Sequence, residues 1–115
     1  MEFDTFTATL LEARPDAPKL DEKEANRLQD AHLAYLATLH DRGYLQAAGP
    51  IMSPPGSSFR GLSLHRLPPD EVRTLFEMDP AVRAGRLSVR IFTWAVPRGA
   101  VVFSQVRFPR SQSEV

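Results

Sequence analysis

The hydrophobic positions of the chain repeat with two different periods, and these periods predict where strands and helices form. Residues 3–11 alternate apolar and polar side chains from Phe6 onward, with several threonines between them. Alternation of this kind, rich in β-branched side chains, is typical of a strand. Residues 22–41 instead repeat their apolar side chains with a helical period, and His32 lies near the centre of the apolar stripe. The pattern therefore predicts a strand followed by a long amphipathic helix.

Both ends of this helix carry sequence signals. Asp21 is the predicted N-cap, and Glu24 follows three positions later as in a capping box. Gly43 is the predicted C-terminal cap, because glycine tolerates the left-handed conformation that ends many helices. We therefore expect the helix to run from about Glu22 to Asp41.

The rest of the chain alternates between strand-like and helix-like segments. Proline and glycine mark the breaks, because the residue before proline avoids the α region and glycine ends helices. Asp79 precedes Pro80 and is predicted to cap a short helical turn. The predicted order continues with a strand over 44–52 that is interrupted at Gly49-Pro50, a loop over 53–58, a strand over 59–67, a helix over 70–78, the turn over 80–84, a strand over 87–96, and a short strand or arm over 99–108.

The order of these elements predicts the fold class. It is βαββαβ, the order of an α+β, ferredoxin-like fold with an antiparallel sheet and both helices on one face. The strand over 87–96 has Val89 and Ile91 on one face and Phe92 and Trp94 on the other. A strand that is apolar on both faces is expected to be covered on both. We therefore predict a homodimer in which a second copy of the chain covers the open face.

Size and charge favour an ordinary one-domain globular protein. The chain has 115 residues, of which 43% are hydrophobic, and its 14 basic and 14 acidic residues cancel. Without net charge, neither nucleic acid nor an anionic membrane is expected as the main partner. The first residues do not resemble a signal peptide, and no apolar run has membrane-spanning length. The expected location is the cytoplasm.

The residue types exclude several kinds of chemistry. The absence of cysteine excludes disulfides, thiolate metal sites and cysteine nucleophiles. His32, His40 and His65 are the only histidines, and none has metal-ligand spacing to another histidine or to a carboxylate. Phosphate-binding glycine motifs and the G-x-S-x-G elbow are missing as well. We therefore expect neither a metal nor another cofactor.

His32 and Asp79 are the residues that could carry chemistry. Each also has a structural interpretation: His32 as a packed core histidine, and Asp79 as a helix cap. As a pair they would form an acid–base unit, because a carboxylate that accepts from one ring nitrogen fixes the tautomer and leaves the other nitrogen free for proton transfer. The sequence does not establish that the two side chains meet.

Several motifs occur in an order that resembles the YciI-like (YCII-related) family. They are "RPD", "HLAYLATLHDRGYLQAAGP", "RGLSLHRL", "DPAVRAGRL" and "WAVP". The resemblance covers roughly residues 3–97. It divides the chain into a YciI-like domain over 1–97 and a tail over 98–115 that forms an extra strand or an arm.

The resemblance implies a ferredoxin-like fold that assembles into dimeric α/β barrels. It also implies a His–Asp active site, which falls on His32 and Asp79 by motif. Some relatives are dehydrochlorinases of chlorinated hydroxyquinol-type aromatics, whereas most members have no assigned reaction. The chain departs from the family pattern at Ala81, where many members have a bulky aromatic side chain, and this difference would enlarge or alter the pocket.

Four further residues are candidates for binding a substrate. Arg14 could hold an anionic or phenolate oxygen, or it could be an exposed loop arginine. Gly49 and Pro50 could border the pocket, or they could form a turn or bulge. Trp94 could stack on a ligand or belong to the dimer core.

Two functions follow as expectations. The first is a cofactor-free enzyme in which His32, assisted by Asp79, moves a proton on a small cyclic or aromatic metabolite, with lyase- or isomerase-like chemistry. The alternative is a non-catalytic dimeric protein that binds a metabolite or a partner. A solvent-connected pocket that contains both residues favours the enzyme, and a filled core around His32 favours the alternative.

Overall fold

The computed structural model describes residues 1–52 and 54–115 and contains the elements that the sequence predicts, in the predicted order. The predicted loop residue Ser53 lies outside the described residues. The elements are β1 (Phe3–Ala13), α1 (Glu22–Asp41), β2 (Ala47–Pro50), β3 (Phe59–His65), α2 (Pro69–Glu77), α3 (Pro80–Arg83), β4 (Leu87–Pro97) and a final 3₁₀ turn (Gln112–Glu114).

The strands form one antiparallel sheet in the order β2-β3-β1-β4. The crossover that contains α1 therefore leads from the central strand β1 to the edge strand β2, β3 then lies between these two strands, and β4 returns beside β1 through α2 and α3. This topology confirms the predicted ferredoxin-like α+β fold.

The caps of α1 are those that the sequence predicts. The Asp21 carboxylate accepts a hydrogen bond from the Glu24 backbone N–H at 2.8 Å. Gly43 adopts a positive φ of 79°. The Gly43 N–H then donates to the His40 carbonyl and the Tyr44 N–H to the Leu39 carbonyl, a Schellman motif that satisfies carbonyls at the end of the helix. The predicted bounds Glu22–Asp41 are confirmed.

Apart from α1, the elements have bounds that differ from the prediction, by one or two residues in β1, β3, α2, α3 and β4 and by more in β2. Strand β2 has only four residues, and Gly49-Pro50 belongs to it instead of interrupting a longer strand. Because β2 is an edge strand, Pro50 can lie in it without leaving a gap in the interior of the sheet. Strand β3 ends at His65 rather than at residue 67, and α2 occupies Pro69–Glu77 rather than 70–78.

The apolar core lies between the helices and one face of the sheet. Leu11 of β1 packs with Val72 and Phe76 of α2, and all three side chains are buried. Further apolar side chains from α1, α3, β4 and the loop between β3 and α2 surround this cluster, namely Leu36, Leu67, Val82, Leu87, Val89 and Ile91.

A chain of buried polar groups lies on the same face of the sheet. The His65 Nδ1–H donates to the Tyr44 carbonyl at 2.8 Å, so His65 Nε2 accepts from the Ser63 hydroxyl at 2.7 Å. The Ser63 oxygen in turn pairs with the Thr9 hydroxyl. Burial lowers the pKa of His65, and the bond to Tyr44 opposes this only in part. The ring is therefore held neutral inside the core.

The opposite face of the sheet is partly covered by the tail, residues 98–115, which we call the arm. The Phe103 ring packs edge-on against Phe6 with ring centroids 5.4 Å apart, and Phe6 is buried. Phe92 and Trp94 of β4 share this face, yet they are 48% and 44% exposed. The arm therefore leaves an apolar part of the face uncovered in a single protomer.

The arm forms no fifth strand and continues along α1. Phe108 stacks on His40 at a centroid distance of 3.9 Å, and Arg110 pairs with Asp41. Further along, the Gln112 N–H donates to the Asp30 carboxylate at 2.8 Å. Aromatic stacking and polar contacts thus hold the end of the arm against the long helix.

None of the helices in the described residues is long and apolar enough to cross a membrane.

Candidate active site

The two residues that the sequence singles out for chemistry meet inside the protein. His32 Nδ1 lies 2.9 Å and 2.8 Å from the two carboxylate oxygens of Asp79. Asp79 is fully buried, and His32 is buried except for a small part of its ring. The pair joins α1 to the segment between α2 and α3.

The backbone around Asp79 explains how its carboxylate is placed. The Asp79 N–H donates to the Phe76 carbonyl at 3.1 Å as α2 ends, and Pro80 begins α3. The same carboxylate accepts from the Ala81 N–H at 3.3 Å and therefore also caps α3. Capping and pairing with His32 are thus compatible in one side chain. The carboxylate has a fixed orientation because the helix start and the imidazole hold it from two directions.

The pairing defines the tautomer of the His32 ring. Because an ionised carboxylate only accepts hydrogen bonds, Nδ1 carries the proton that it donates to Asp79. Nε2 makes no hydrogen bond to the described residues, and no buried side-chain nitrogen there lacks a partner, so Nε2 is open to solvent. A neutral imidazole held in this way presents an unprotonated nitrogen to the space beside it.

That space is a cavity of about 1210 Å³ to which His32 contributes. Apolar side chains from α1, such as Leu28 and Leu36, form one wall, and Ala81 from α3 lies beside them. The sheet contributes small residues, including Ala48 and Gly61. Ligand sites commonly combine apolar walls with a few polar groups, so the cavity is suited to a small and largely apolar molecule.

Tyr35 adds a neutral hydroxyl close to the pair. Its hydroxyl donates to the Leu75 carbonyl at 2.6 Å and so links α1 to α2. Burial raises the pKa of Tyr35, and the negative charge of Asp79 raises it further. The phenol therefore stays protonated and serves to position α1.

The other predicted site residues lie in different places. Gly49 and Pro50 line the cavity. Arg14 does not line it, because its guanidinium donates to both oxygens of Asp16 at 2.8–2.9 Å, which lowers the pKa of the Asp16 carboxyl. Trp94 pairs with Phe6 across the sheet and lies on the face opposite the helices, away from His32. The structure thus brings four of the six candidates together and leaves Arg14 and Trp94 outside.

Sequence reasoning missed two groups of lining residues. Basic residues of the lining include Arg60 and Arg86, and the sequence shows nothing that distinguishes them from the other scattered arginines. The arm contributes Phe108 and Gln112, among others, although its sequence carries no strong periodicity. The aromatic residues of an otherwise irregular tail were the one available signal that it packs on the domain.

Within the residues that the structure describes, no group of three or more histidine, cysteine or acidic side chains could hold a metal ion.

Fold and site together define a class of protein: a ferredoxin-like α+β protein with a buried histidine–carboxylate pair, of which the histidine lines an apolar cavity and the carboxylate does not. The chain belongs to the YCII-related family, because the YCII-related domain matches residues 5–95. The resemblance drawn from the motifs is thereby confirmed. The match contains His32 and Asp79 and ends before the arm.

Two solved structures of similar fold come from bacteria. One is the 5-chloro-2-hydroxyhydroquinone dehydrochlorinase from Burkholderia phenoliruptrix in complex with 2,5-dihydroxybenzoquinone, with 23% identity over 82% of this chain and 95% of that chain, and a TM-score of 0.56. Another is a dimeric ferredoxin-like protein of unknown function from Bacteroides fragilis, with 16% identity over 80% of this chain and 95% of that one, and a TM-score of 0.47. The first likeness shows the shared fold. None of the curated proteins matches the chain.

Proposed function

We propose that the protein is a small-molecule enzyme that uses His32 for acid–base chemistry without a cofactor. The observation that carries the proposal is the contact of both Asp79 oxygens with His32 Nδ1, at 2.8 and 2.9 Å, beside a cavity that His32 lines. A histidine that only packs in a core has no need to reach a cavity, whereas this ring is held at Nδ1 by a carboxylate and is open at Nε2.

The proposed chemistry begins with proton transfer to His32 Nε2. The ring takes a proton from an acidic C–H or O–H group of the ligand, and Asp79 stabilises the resulting imidazolium. If the ring returns the proton to a different atom of the ligand, the reaction is an isomerisation. If an anionic leaving group departs while the ring holds the proton, the reaction is an elimination. Both routes need one histidine and no redox partner.

The walls of the cavity favour a cyclic or aromatic ligand. The apolar contacts of the cavity come from Leu28, Leu33 and Leu36. The small side chain of Ala81 leaves room in the cavity that His32 also lines. A structure of similar fold is a dehydrochlorinase of a chlorinated hydroxyquinol and contains a dihydroxybenzoquinone. That neighbour supports an elimination or tautomerisation on a hydroxylated ring as the reaction class for this chain.

The proposal includes a homodimer. Phe92, Trp94 and Leu62 are each nearly half exposed on the sheet face opposite the helices. Covering a sheet face of this kind buries about 1,600 Å² in total, the usual size of a stable interface.

Turnover of defined probes tests the catalytic proposal. The probes are 5-chloro-2-hydroxyhydroquinone, followed by chloride release, and 2,5-dihydroxybenzoquinone in deuterated buffer, followed by exchange of its ring hydrogens. His32→Gln is expected to lower the rate on at least one probe by about 10²–10⁴-fold, the usual contribution of a positioned acid–base group. Asp79→Asn is expected to fold, because asparagine caps about as well as aspartate, and to lower the rate because it cannot stabilise an imidazolium.

Asp21→Asn is the matched control, because it makes the same change at the exposed cap of α1. We expect it to turn over the probes at the wild-type rate. Equal rates for wild type and His32→Gln would contradict the catalytic proposal. Binding of the probes in the cavity without turnover by the wild type would instead favour a dimeric metabolite-binding protein.

A further inference from the structure

The cavity beside His32 has an excess of positive charge. Lys19, Arg60 and Arg86 belong to its lining, whereas none of the described Asp or Glu side chains does. The chain as a whole has equal numbers of acidic and basic residues. The cavity therefore differs from the average of the molecule, and charges of one sign beside apolar walls raise the local concentration of ligands of the opposite sign.

The topology of the sheet brings these three residues to one end. Strand β1 ends at Ala13, and its antiparallel neighbours β3 and β4 begin on either side of that point. Arg60 is the second residue of β3, and Arg86 comes directly before β4. Lys19 lies in the loop that follows β1. Their proximity is thus a consequence of strand order rather than of a local sequence cluster.

Arg86 is held in place by its backbone and by its side chain. Its N–H donates to the Ala81 carbonyl at 3.1 Å, and its carbonyl accepts from the Arg14 N–H at 3.0 Å. Its Nη1 donates to the Pro18 carbonyl at 3.1 Å. The other guanidinium N–H groups make no hydrogen bond to the described residues. The Arg86 guanidinium is therefore held through Nη1, and its remaining donors are free to bind a ligand in the cavity.

Burial makes Arg86 distinctive, because each of the other arginines is exposed. Arg14 pairs with Asp16, Arg90 with Glu12, and Arg110 with Asp41, and the side chains of these three arginines are 42–61% exposed. Arg86 is half-buried, yet no carboxylate of the described residues lies within 4.0 Å of it. A planar, partly desolvated guanidinium without an acidic partner is well suited to a bidentate bond with a ligand oxyanion.

We propose that the His32 cavity takes a small organic anion and that Arg86 binds its negatively charged oxygen. Arg60 and Lys19 strengthen the positive potential around it. The inference rests on the proposed function only in taking the same cavity as the ligand site. It specifies the substrate class as cyclic acids or ionised ring hydroxyls rather than neutral rings.

Three probes of similar shape distinguish the source of the charge. They are 4-hydroxybenzoate, which carries a carboxylate, 4-nitrophenol, which is largely ionised at pH 8, and 4-hydroxybenzamide, which is neutral. Each is titrated at pH 8 into wild type and Arg86→Gln, and backbone amide shifts of Ala48 and Gly61 report binding in the cavity. At least one anion is expected to bind about tenfold more tightly than the amide, because charge-assisted hydrogen bonds are the stronger ones.

Arg86→Gln is expected to remove this preference for the anion while leaving the affinity for the amide unchanged. Arg83→Gln is the matched control, since Arg83 lies three residues earlier, is exposed and does not line the cavity. The preference for the anion in wild type is also expected to weaken as salt is added.

Equal affinity for the amide and both anions would overturn the inference. An equal loss of affinity for all three probes in Arg86→Gln would overturn it too. So would a wild type that binds neither anion at about 10 mM, a concentration at which even a millimolar dissociation constant gives near-saturation. The result of these binding titrations does not depend on the result of the turnover assays. If anions bind through Arg86 while His32→Gln turns over normally, the anion site remains and the acid–base proposal fails.

Discussion

His65 is a buried histidine outside the candidate active site, and its environment links stability to pH. Its ring is fully buried, accepts from Ser63 and donates to the Tyr44 carbonyl. Because burial lowers its pKa in the folded state, the unfolded chain binds a proton more readily than the folded chain below about pH 6.5. The contribution of the neutral ring is present above that pH and is lost as the pH falls through the lowered folded-state value.

We therefore expect the wild type to lose more free energy of unfolding between pH 7.5 and pH 5.0 than His65→Gln loses. Urea unfolding at the two pH values measures this difference. His40→Gln serves as the control, because His40 stacks on the arm at the end of α1 and lies outside the buried polar chain. If the free energy of unfolding of His65→Gln depends on pH as strongly as that of wild type, the pH effect does not come from His65.

At the scale of elements, local signals predicted α1 and the turn at Asp79 well. Caps and glycine stops act within a few residues, so the sequence shows them directly: Asp21 and Gly43 for α1, and Asp79 and Gly85 for α3. The contact between His32 and Asp79 was different, since the two are 47 residues apart and meet only through packing of α1 against α3. Motif resemblance, rather than spacing, joined them.

Other elements could not be read from local pattern. The bounds of strand β2 depend on its pairing with β3, which involves only Ala47–Pro50. Pairing with a distant segment leaves no signal in the local sequence of β2. Trp94 and Phe92 share a face with Phe6, so their exposure depends on the arm and, in the proposed homodimer, on a second copy of the chain. The arm has no regular period, and its position depends on aromatic and ionic contacts with α1.

These contacts predict what holds the arm. Phe108→Ala removes the stacking on His40 and is expected to lower the free energy of unfolding by about 0.5–1.5 kcal/mol. Faster amide hydrogen exchange over residues 104–115 is expected as well, because that segment loses its anchor. Val102→Ala is the control, since Val102 is 84% exposed. Unchanged exchange in Phe108→Ala would show that Arg110 and Gln112 hold the arm without it.

At the scale of the whole molecule, the exposed part of the open face predicts the oligomeric state. Light scattering is expected to give twice the 12.9 kDa mass of the chain. Trp94→Arg places a charge in the apolar patch and is expected to give monomers at micromolar concentration, because an unpaired charge in an interface is costly. Thr74→Arg adds the same charge on exposed α2 and is expected to stay dimeric. A wild type that runs as a stable monomer would contradict the homodimer.

The two edges of the sheet are unequal, and this inequality limits how copies of the chain can add to one another. On one side, β2 offers four residues and ends in Pro50, which has no N–H to donate. On the other side, β4 is eleven residues long and has no further strand beside it in the described residues. Strand addition is therefore restricted to β4. Two copies that join through β4 use up the only long edge of each described sheet, so such growth stops at a closed pair and does not propagate into fibres.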